Sequence, residues 1–269
     1  MAQMQGGMTN LGFTIYSLAI TVVLAAPALA VDITGCGQEV PAGEVGILTT
    51  DINCGSPTAT NWYGVELENG ATLDLQGHTI TGPDYPVYCE KRCSVTSTAV
   101  GRGMLRGGLY GLAAADGKAT VSDVDFVGNQ TGIVGTNVAL RNVSLVDNAK
   151  GAVHLLDQSR LVAENVSVSG CTQGNYCIGI GRIRLSGFTV AGTATGYAVI
   201  WGKRVRLAGG SIVGGNVGIR DEAGSHLENV ALSGNGVDIE SARRPRLVDS
   251  ACETSRDLVG TPWGVCSND

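Results

Sequence analysis

The chain has 269 residues, a formal net charge of −6, 40 glycines, and an aromatic content of only 5%. This composition excludes a core built from large side chains and favours many tight turns around slim aliphatic layers. The acidic balance argues against a nucleic-acid-binding protein.

Residues 1–30 are predicted to be a signal peptide. The stretch from Leu11 to Ala30 is apolar and ends in Pro27 and Ala-Leu-Ala, the small-x-small pattern that precedes signal cleavage. An uncleaved membrane anchor is the alternative, because about 20 apolar residues can span a bilayer. We expect a secreted, periplasmic or cell-surface protein, with no stable membrane insertion after cleavage.

Eight cysteines fit an oxidising compartment, where disulfides persist. Many connectivities are possible, and their spacing favours pairing between nearest neighbours. The predicted pairs are Cys36–Cys54, Cys89–Cys93, Cys171–Cys177 and Cys252–Cys266. A metal site is not expected, because the chain has no CxxC pair and only three histidines, and nothing in the sequence suggests a cofactor.

From Leu73 onward, an apolar strand pattern is interrupted by a glycine, asparagine or aspartate, and the last six intervals between interruptions are 19 to 23 residues. The interrupting positions are Gly77, Asp123, Asn142, Asn165, Gly187, Gly209, Asn229 and Asp249. These residue types share tolerance of a left-handed backbone. The columns two residues before and three residues after the interruption are apolar, or once cysteine. The pattern predicts a sharp bend between two short strands, repeated once per coil.

A repeat of this length indicates a solenoid. A leucine-rich repeat would need a denser leucine framework and a helical segment, and a β-sandwich would not match column by column. A parallel β-helix explains both apolar columns, because each residue stacks on its equivalent one strand spacing away, ~4.8 Å.

The repeat resembles the right-handed parallel β-helix family with the pectate-lyase-like fold. The resemblance rests on "LDLQGHTI" (73–80), "NVSLVDN" (142–148) and "NVSVSG" (165–170), and it covers about residues 64–252. It implies an all-β, right-handed parallel β-helix of about nine coils with capped ends, in which Asn142 and Asn165 stack at the bend between the second and third sheets. Enzymes and non-enzymes share this fold, so it implies little about activity.

The coils are predicted to occupy residues 64–252 as a single domain. Residues 31–63 are predicted to cap one end, and residues 253–269, pinned by the Cys252–Cys266 disulfide, are predicted to cap the other. Open β-edges need such covers.

In enzymes of this family, the substrate lies along the outer face of the first sheet, where clustered or paired carboxylates carry the chemistry. Counted from the first residue of each coil, the outward candidates here are Glu66, Glu68, Arg220, Asp238 and Glu240. Arg220, Asp238 and Glu240 fall on adjacent coils and are the candidate catalytic residues. Two further residues face outward only if the inward–outward alternation of the strand is shifted by one residue. They are Trp201, a candidate sugar-stacking surface, and His154, a candidate general base. Charges on an outer face can also serve solubility alone.

Charge is divided unevenly along the chain. Residues 31–90 contain nine acidic and no basic residues, whereas residues 91–269 contain 15 acidic and 18 basic residues, a net charge of +3. Basic residues recur at two fixed places that flank an inward-facing column, so they should point outward from the second sheet. One column contains Arg160, Arg182, Arg204 and Arg244, and the other contains Arg184, Arg206, His226 and Arg246.

Like charges ~4.8 Å apart repel by about 1 kcal/mol even in water, so these columns need counter-charge. Glu164 and Glu228, which lie in the same register, are one candidate source. An acidic polymer, such as a uronate-bearing polysaccharide, lipopolysaccharide or another anionic envelope component, is the other. We therefore expect an exported protein that binds carbohydrate or an anionic envelope polymer at the cell surface. The alternatives are a polysaccharide lyase or glycoside hydrolase that acts on an acidic polysaccharide, and a purely structural or adhesive rod.

Overall fold

A computed structural model describes residues 30–55, 62–192 and 197–269, so the predicted signal peptide lies outside the described residues except for Ala30. Within these ranges the chain is all-β without a helix, and its strands pair in parallel into a β-solenoid of about eight turns, close to the nine predicted. The strands are β1 Ala30–Ile33, β2 Gln38–Val40, β3 Val45–Leu48, β4 Ile52–Asn53, β5 Tyr63–Leu67, β6 Ala71–Asp74, β7 Thr79–Thr81, β8 Tyr85–Cys89, β9 Arg92–Thr96, β10 Gly103–Arg106, β11 Tyr110–Ser122, β12 Val124–Val127, β13 Thr131–Val146, β14 Gly151–Cys171, β15 Tyr176–Gly179, β16 Arg182–Gly192, β17 Ala198–Gly202, β18 Arg204–Val213, β19 Val217–Asp221, β20 His226–Ser233, β21 Val237–Ser241, β22 Arg246–Val248 and β23 Ser255–Arg256.

Each coil contributes to three parallel ladders. The first sheet runs through β5, β8, the start of β11, β13 and β14, and then β15, β17, β19 and β21. The second sheet runs through β6, β9, the later part of β11, β13 and β14, and then β16, β18, β20 and β22. The long strands β13, β14, β16, β18 and β20 continue past a bend into the third sheet.

The predicted bends are confirmed. All eight interrupting residues have positive φ angles, from 46° at Asp249 to 78° at Gly77. On three consecutive coils the side chains also form a ladder, in which Asn165 Nδ2 donates to Asn142 Oδ1 at 3.1 Å and Asn142 Nδ2 donates to Asp123 Oδ1 at 3.0 Å. There the bend combines a left-handed backbone with side-chain hydrogen bonds from coil to coil.

The apolar columns form the core. The column that precedes the bend is buried from Leu75 through Leu227, and Leu247 is partly buried against it. The column that follows the bend is buried from Ile80 through Cys252. Because each core residue stacks on an equivalent residue of the next coil, the apolar layers continue along the rod.

Three of the four predicted disulfides are present, Cys36–Cys54, Cys89–Cys93 and Cys252–Cys266. Cys171 and Cys177 are instead two buried thiols in hydrogen-bond contact. The hydrogen bond with Cys171, reinforced by burial, raises the pKa of the Cys177 thiol far above its ordinary value. The fourth bridge of the sequence prediction is therefore not part of this structure.

Both terminal segments join the parallel ladders of the coils beside them. The predicted N-terminal cap, residues 31–63, continues the parallel ladders, because β2 pairs with β5, β3 with β6 and β4 with β7. At the other end, β23 pairs with β21, and the Cys252–Cys266 disulfide holds the terminal segment against the last coil. Asp269 reinforces this closure, since its carboxylate accepts the backbone amides of Val265 and Cys266 at 2.7 and 2.9 Å.

Replacement of Asn142 or Gly187 by valine is expected to lower the free energy of unfolding by about 1–3 kcal/mol, because a β-branched residue is strained at positive φ. At Gly187 a Cβ atom would also lie 2.6 Å from the Asn165 side-chain oxygen. Urea unfolding of the two variants measures the loss. Wild-type stability in both variants would contradict the role assigned to the bends.

Candidate functional site

The predicted cationic columns lie in register on the outer face of the second sheet. Arg160 pairs with Arg182 and Arg182 with Arg204 in one column. Arg184 pairs with Arg206, Arg206 with His226 and His226 with Arg246 in the other. We call the surface made by Arg160, Arg182, Arg184, Arg204, Arg206, His226 and Arg246 the arginine face. Arg244 lies just outside it, before β22, where its Nη2 approaches the Gly264 carbonyl oxygen at 3.5 Å.

The first column is longer than the sequence analysis predicted. The next coil toward the N-terminus places the neutral Asn137 beside Arg160, and the two coils after it place the exposed cations Lys118 and Arg92 in the same column. Lys118 stands in the same position of its repeat as Arg160, and the sequence alone could have identified it. Arg92 belongs to a coil whose repeat is too irregular to align, so no comparable signal marked it.

The arginines of this face form no ion pair within the described part of the chain. All six are exposed, and none forms an ion pair with a described carboxylate within 4.0 Å. Glu164 and Glu228 lie in the neighbouring outward column, in register with Arg141 and Ala208, and each borders a cleft that Arg184 also borders. Neither forms an ion pair within 4.0 Å with an arginine of the face. The internal salt-bridge ladder considered from the sequence is therefore absent from the described residues.

Three shallow clefts adjoin one another along this face. The largest, of about 580 Å³, is lined by basic side chains that include Arg184, Arg206 and Arg246. A second, of about 490 Å³, extends over Arg141 and Glu164, and a third, of about 180 Å³, is lined by Arg160 and its neighbours. Arg184 borders all three clefts, so they form one surface that an extended ligand can follow.

The first sheet carries a second cluster of polar and aromatic side chains. Trp201, Arg220, Glu240 and Arg256 occupy one outward column on successive coils. His154 belongs to the same column, with Gly179 between it and Trp201. His154 and Trp201 therefore face outward, as the shifted alternation predicted. Glu66 lies further along the same column, toward the N-terminus.

The charged end of this cluster is already neutralised internally. The Glu240 side chain is only 4% exposed, and its carboxylate contacts Arg220 Nη1 and, at 3.0 Å, Arg256 Nη2. The Tyr197 hydroxyl donates to Glu240 at 2.9 Å. The Arg220 guanidinium lies over the rings of Tyr197 and Trp201, 4.9 and 5.4 Å from their centroids. Arg220 and Glu240 are therefore partners of each other, which fits a structural role.

The aromatic end of the cluster contains a hydrogen-bonded pair. The Tyr176 hydroxyl and His154 Nδ1 are 2.5 Å apart, and the Tyr176 ring lies edge-on to Trp201 with centroids separated by 6.1 Å. Gly179 makes room for this ring, because a Cβ there would lie 2.8 Å from it. Burial lowers the pKa of His154 and favours the neutral imidazole. Tyr176 begins β15 and Tyr197 lies just before β17, and neither belongs to a column that recurs in the sequence, so the sequence analysis missed both.

Two predicted site residues are engaged elsewhere. Asp238 is 1% exposed, so it is not accessible to a ligand on the outer face of the first sheet. Its carboxylate accepts the Glu253 amide at 2.6 Å and the Asn235 side-chain amide at 2.8 Å, because the C-terminal segment folds over it. Glu68 lies beyond the end of β5 and accepts the Ala42 amide at 3.0 Å. Neither carboxylate stands beside Arg220 as a catalytic partner.

The chemistry of both faces is that of charged, aromatic and hydroxyl side chains. Across residues 30–55, 62–192 and 197–269, histidine, cysteine and carboxylate side chains do not gather in threes as a metal site would require. None of the described segments is a helix with the length and apolar character needed to cross a membrane.

Comparisons with models of known protein families, with curated proteins and with solved structures found no match.

Proposed function

We propose that this is an exported β-helix protein, similar to those with the pectate-lyase-like fold, that binds an anionic polymer along its arginine face at the cell surface. The single observation that carries this proposal is the register of exposed arginines that form no ion pair with a described carboxylate. A row of like charges one strand spacing apart costs free energy in the isolated protein. A bound polyanion offsets that cost, and guanidinium groups match carboxylate and sulfate or phosphate oxygens in bidentate geometry.

The spacing of the arginines favours a polymer with a regular charge repeat. Arg184, Arg206, His226 and Arg246 follow one another on consecutive coils. A polyuronate such as polygalacturonate carries a carboxylate on each ring, so its charges recur regularly along the chain, as the cations recur once per strand spacing of ~4.8 Å. Such a chain can lie parallel to the rod axis and contact one cation per coil.

The first sheet supports catalysis less well than the second sheet supports binding. Of the three candidate catalytic residues, Asp238 is buried under the C-terminal segment, and Arg220 and Glu240 neutralise each other. Trp201 remains as a partly exposed ring that can stack on a sugar. We therefore favour a binding protein over a lyase or hydrolase.

Charge reversal of the arginine face is expected to abolish retention on immobilised polygalacturonate. The variant Arg184→Glu/Arg206→Glu introduces carboxylates at the point shared by the clefts, so the face repels the polymer. Its melting temperature should stay close to the wild-type value, because both arginines are exposed and form no ion pair within the described chain. Retention of the wild type should fall steeply with salt.

Arg106→Glu/Lys150→Glu is the matched control, because it changes the net charge equally at exposed residues away from the second sheet. We expect this control to be retained like the wild type, and neither protein to be retained on neutral dextran. Equal retention of the wild type and the Arg184→Glu/Arg206→Glu variant at low salt would overturn the proposal.

A further inference from the structure

A second exposed surface lies at the other end of the rod, on the first sheet. The chain has three tryptophans, seven tyrosines and three phenylalanines, and five of these side chains gather here. They are Trp62, Tyr63, Tyr85, Tyr88 and Tyr110, which we call the aromatic patch. The Trp62 ring lies 5.0 Å from Tyr85 and 4.9 Å from Tyr88, and Tyr85 stacks on Tyr110 at 5.6 Å. Trp62 is 41% exposed, unlike the aromatic residues of the core.

Carboxylates surround the aromatic patch. Glu39 and Glu66 are neighbours in register, and Tyr63 donates its hydroxyl hydrogen to Glu39 at 3.3 Å. Burial, followed by the hydrogen bond and charge of Glu66, raises the pKa of Tyr63 to about 12. Burial and the charges of Glu66, Asp116 and Glu90 raise the pKa of Tyr88. None of these four carboxylates forms an ion pair with a described basic residue, so the rim of the patch keeps its negative charge.

Exposed aromatic faces rimmed by carboxylates bind cations, and guanidinium groups stack on tryptophan and tyrosine most readily. Tryptophan, tyrosine and arginine are also the residues enriched in protein–protein interfaces. The chain itself presents the complementary surface, because the arginines of its arginine face are exposed and form no ion pair among the described residues. The same division appears in the sequence, where residues 31–90 contain nine acidic and no basic residues and residues 91–269 carry a net charge of +3.

We propose that the aromatic patch of one molecule docks on the arginine face of a second copy of this chain. The patch lies on the first sheet near the N-terminal end, and the arginine face lies on the second sheet toward the C-terminal end. The two surfaces differ, so the contact is heterologous and can continue from one rod to the next. Arginines from the second copy would stack on Trp62 and pair with Glu39 and Glu66.

This inference rests on the same arginine face as the proposed function, but not on the identity of its ligand. An anionic polymer and a second copy would compete for the same guanidinium groups. Addition of polygalacturonate is therefore expected to dissociate the assemblies, and self-association would keep the arginine face covered until polymer is present.

Sedimentation velocity at low ionic strength tests the inference with two charge reversals. The wild type should associate more as its concentration rises and become monomeric at high salt. The patch variant Glu39→Lys/Glu66→Lys and the face variant Arg184→Glu/Arg206→Glu should each be monomeric, because each presents two surfaces of like charge. An equimolar mixture of the two variants should associate again, since each patch then meets a face of opposite charge.

The control variant Arg106→Glu/Lys150→Glu should associate like the wild type, and circular dichroism should show that all variants keep the fold. A wild type that is monomeric at low salt, or a mixture that stays monomeric, would overturn the inference. A wild type that remains monomeric but is retained on a lysine homopolymer would also overturn the inference. That result would indicate that the aromatic patch binds a basic partner other than a second copy of this chain. The patch variant separates the two proposals, because it should lose self-association and keep its retention on polygalacturonate.

Discussion

Replacement of Glu240 by alanine is expected to lower the free energy of unfolding by about 3 kcal/mol, because removal of one partner of a buried ion pair leaves the other without compensation. The carboxylate contacts Arg220 and Arg256 and accepts the Tyr197 hydroxyl at 2.9 Å. Without it, the contacts of the partly buried Arg220 within the described chain reduce to the aromatic rings and the Tyr197 hydroxyl. Chemical denaturation of the wild type and the variant measures the difference.

Glu222→Ala is the matched control for this prediction. Glu222 is exposed on the neighbouring coil and, among the described residues, its carboxylate accepts the Trp201 indole N–H at 3.3 Å. Its loss should cost less than about 0.5 kcal/mol, as for most surface substitutions. Equal stability of the Glu240→Ala and Glu222→Ala variants would show that the ion-pair cluster does not stabilise the first sheet.

Replacement of Asp238 by alanine is expected to destabilise the protein by about 2–3 kcal/mol, since buried amide groups lose a charged acceptor. The Glu253 amide and the Asn235 side chain both donate to this carboxylate. The loss should be local at first, so limited proteolysis is expected to cut the segment 253–269 before the coils. Thermal melting and the order of proteolytic fragments report the two effects.

Asp238→Asn retains the size of the side chain and one oxygen acceptor, and it should lose less stability than the alanine variant. A catalytic aspartate would behave differently, because its replacement usually removes activity and leaves stability unchanged. An Asp238→Ala variant with wild-type stability and wild-type protease resistance would contradict the structural role assigned here.

The repeat frame could be predicted because it depends on residue types that recur column by column. Positive φ at Asn142 and Gly187 follows from their tolerance of a left-handed backbone, and burial of Leu75 and Ile80 follows from their spacing around the bend. The arginine register follows from the same frame, because Arg182 and Arg204 keep a constant distance from their bends. Local patterns of this kind fix which residues become neighbours in a solenoid.

The candidate residues of the first sheet could not be placed in the same way. Alternation counted from the first residue of each coil left the orientation of Trp201 undecided, and it turned out to share a column with Arg220. The burial of Asp238 depends on the C-terminal segment, which folds over it from outside the repeat. The hydrogen bond between Tyr176 and His154 likewise joins residues from two coils, and no periodicity marks Tyr176. Contacts that do not recur from coil to coil determine where these side chains lie.

The salt dependence of binding to polygalacturonate tests the central claim most directly, because each arginine that contacts the polymer releases bound counterions. By analogy with single-stranded nucleic acids, the slope of log K against log salt should decrease in magnitude by about 0.7 for each contact removed. Titrations of the wild type, Arg206→Gln and Arg184→Gln/Arg206→Gln should therefore give three successively shallower slopes, whereas Arg106→Gln should keep the wild-type slope. A wild-type slope near zero, or identical slopes for all four proteins, would contradict recognition of an anionic polymer by the arginine face.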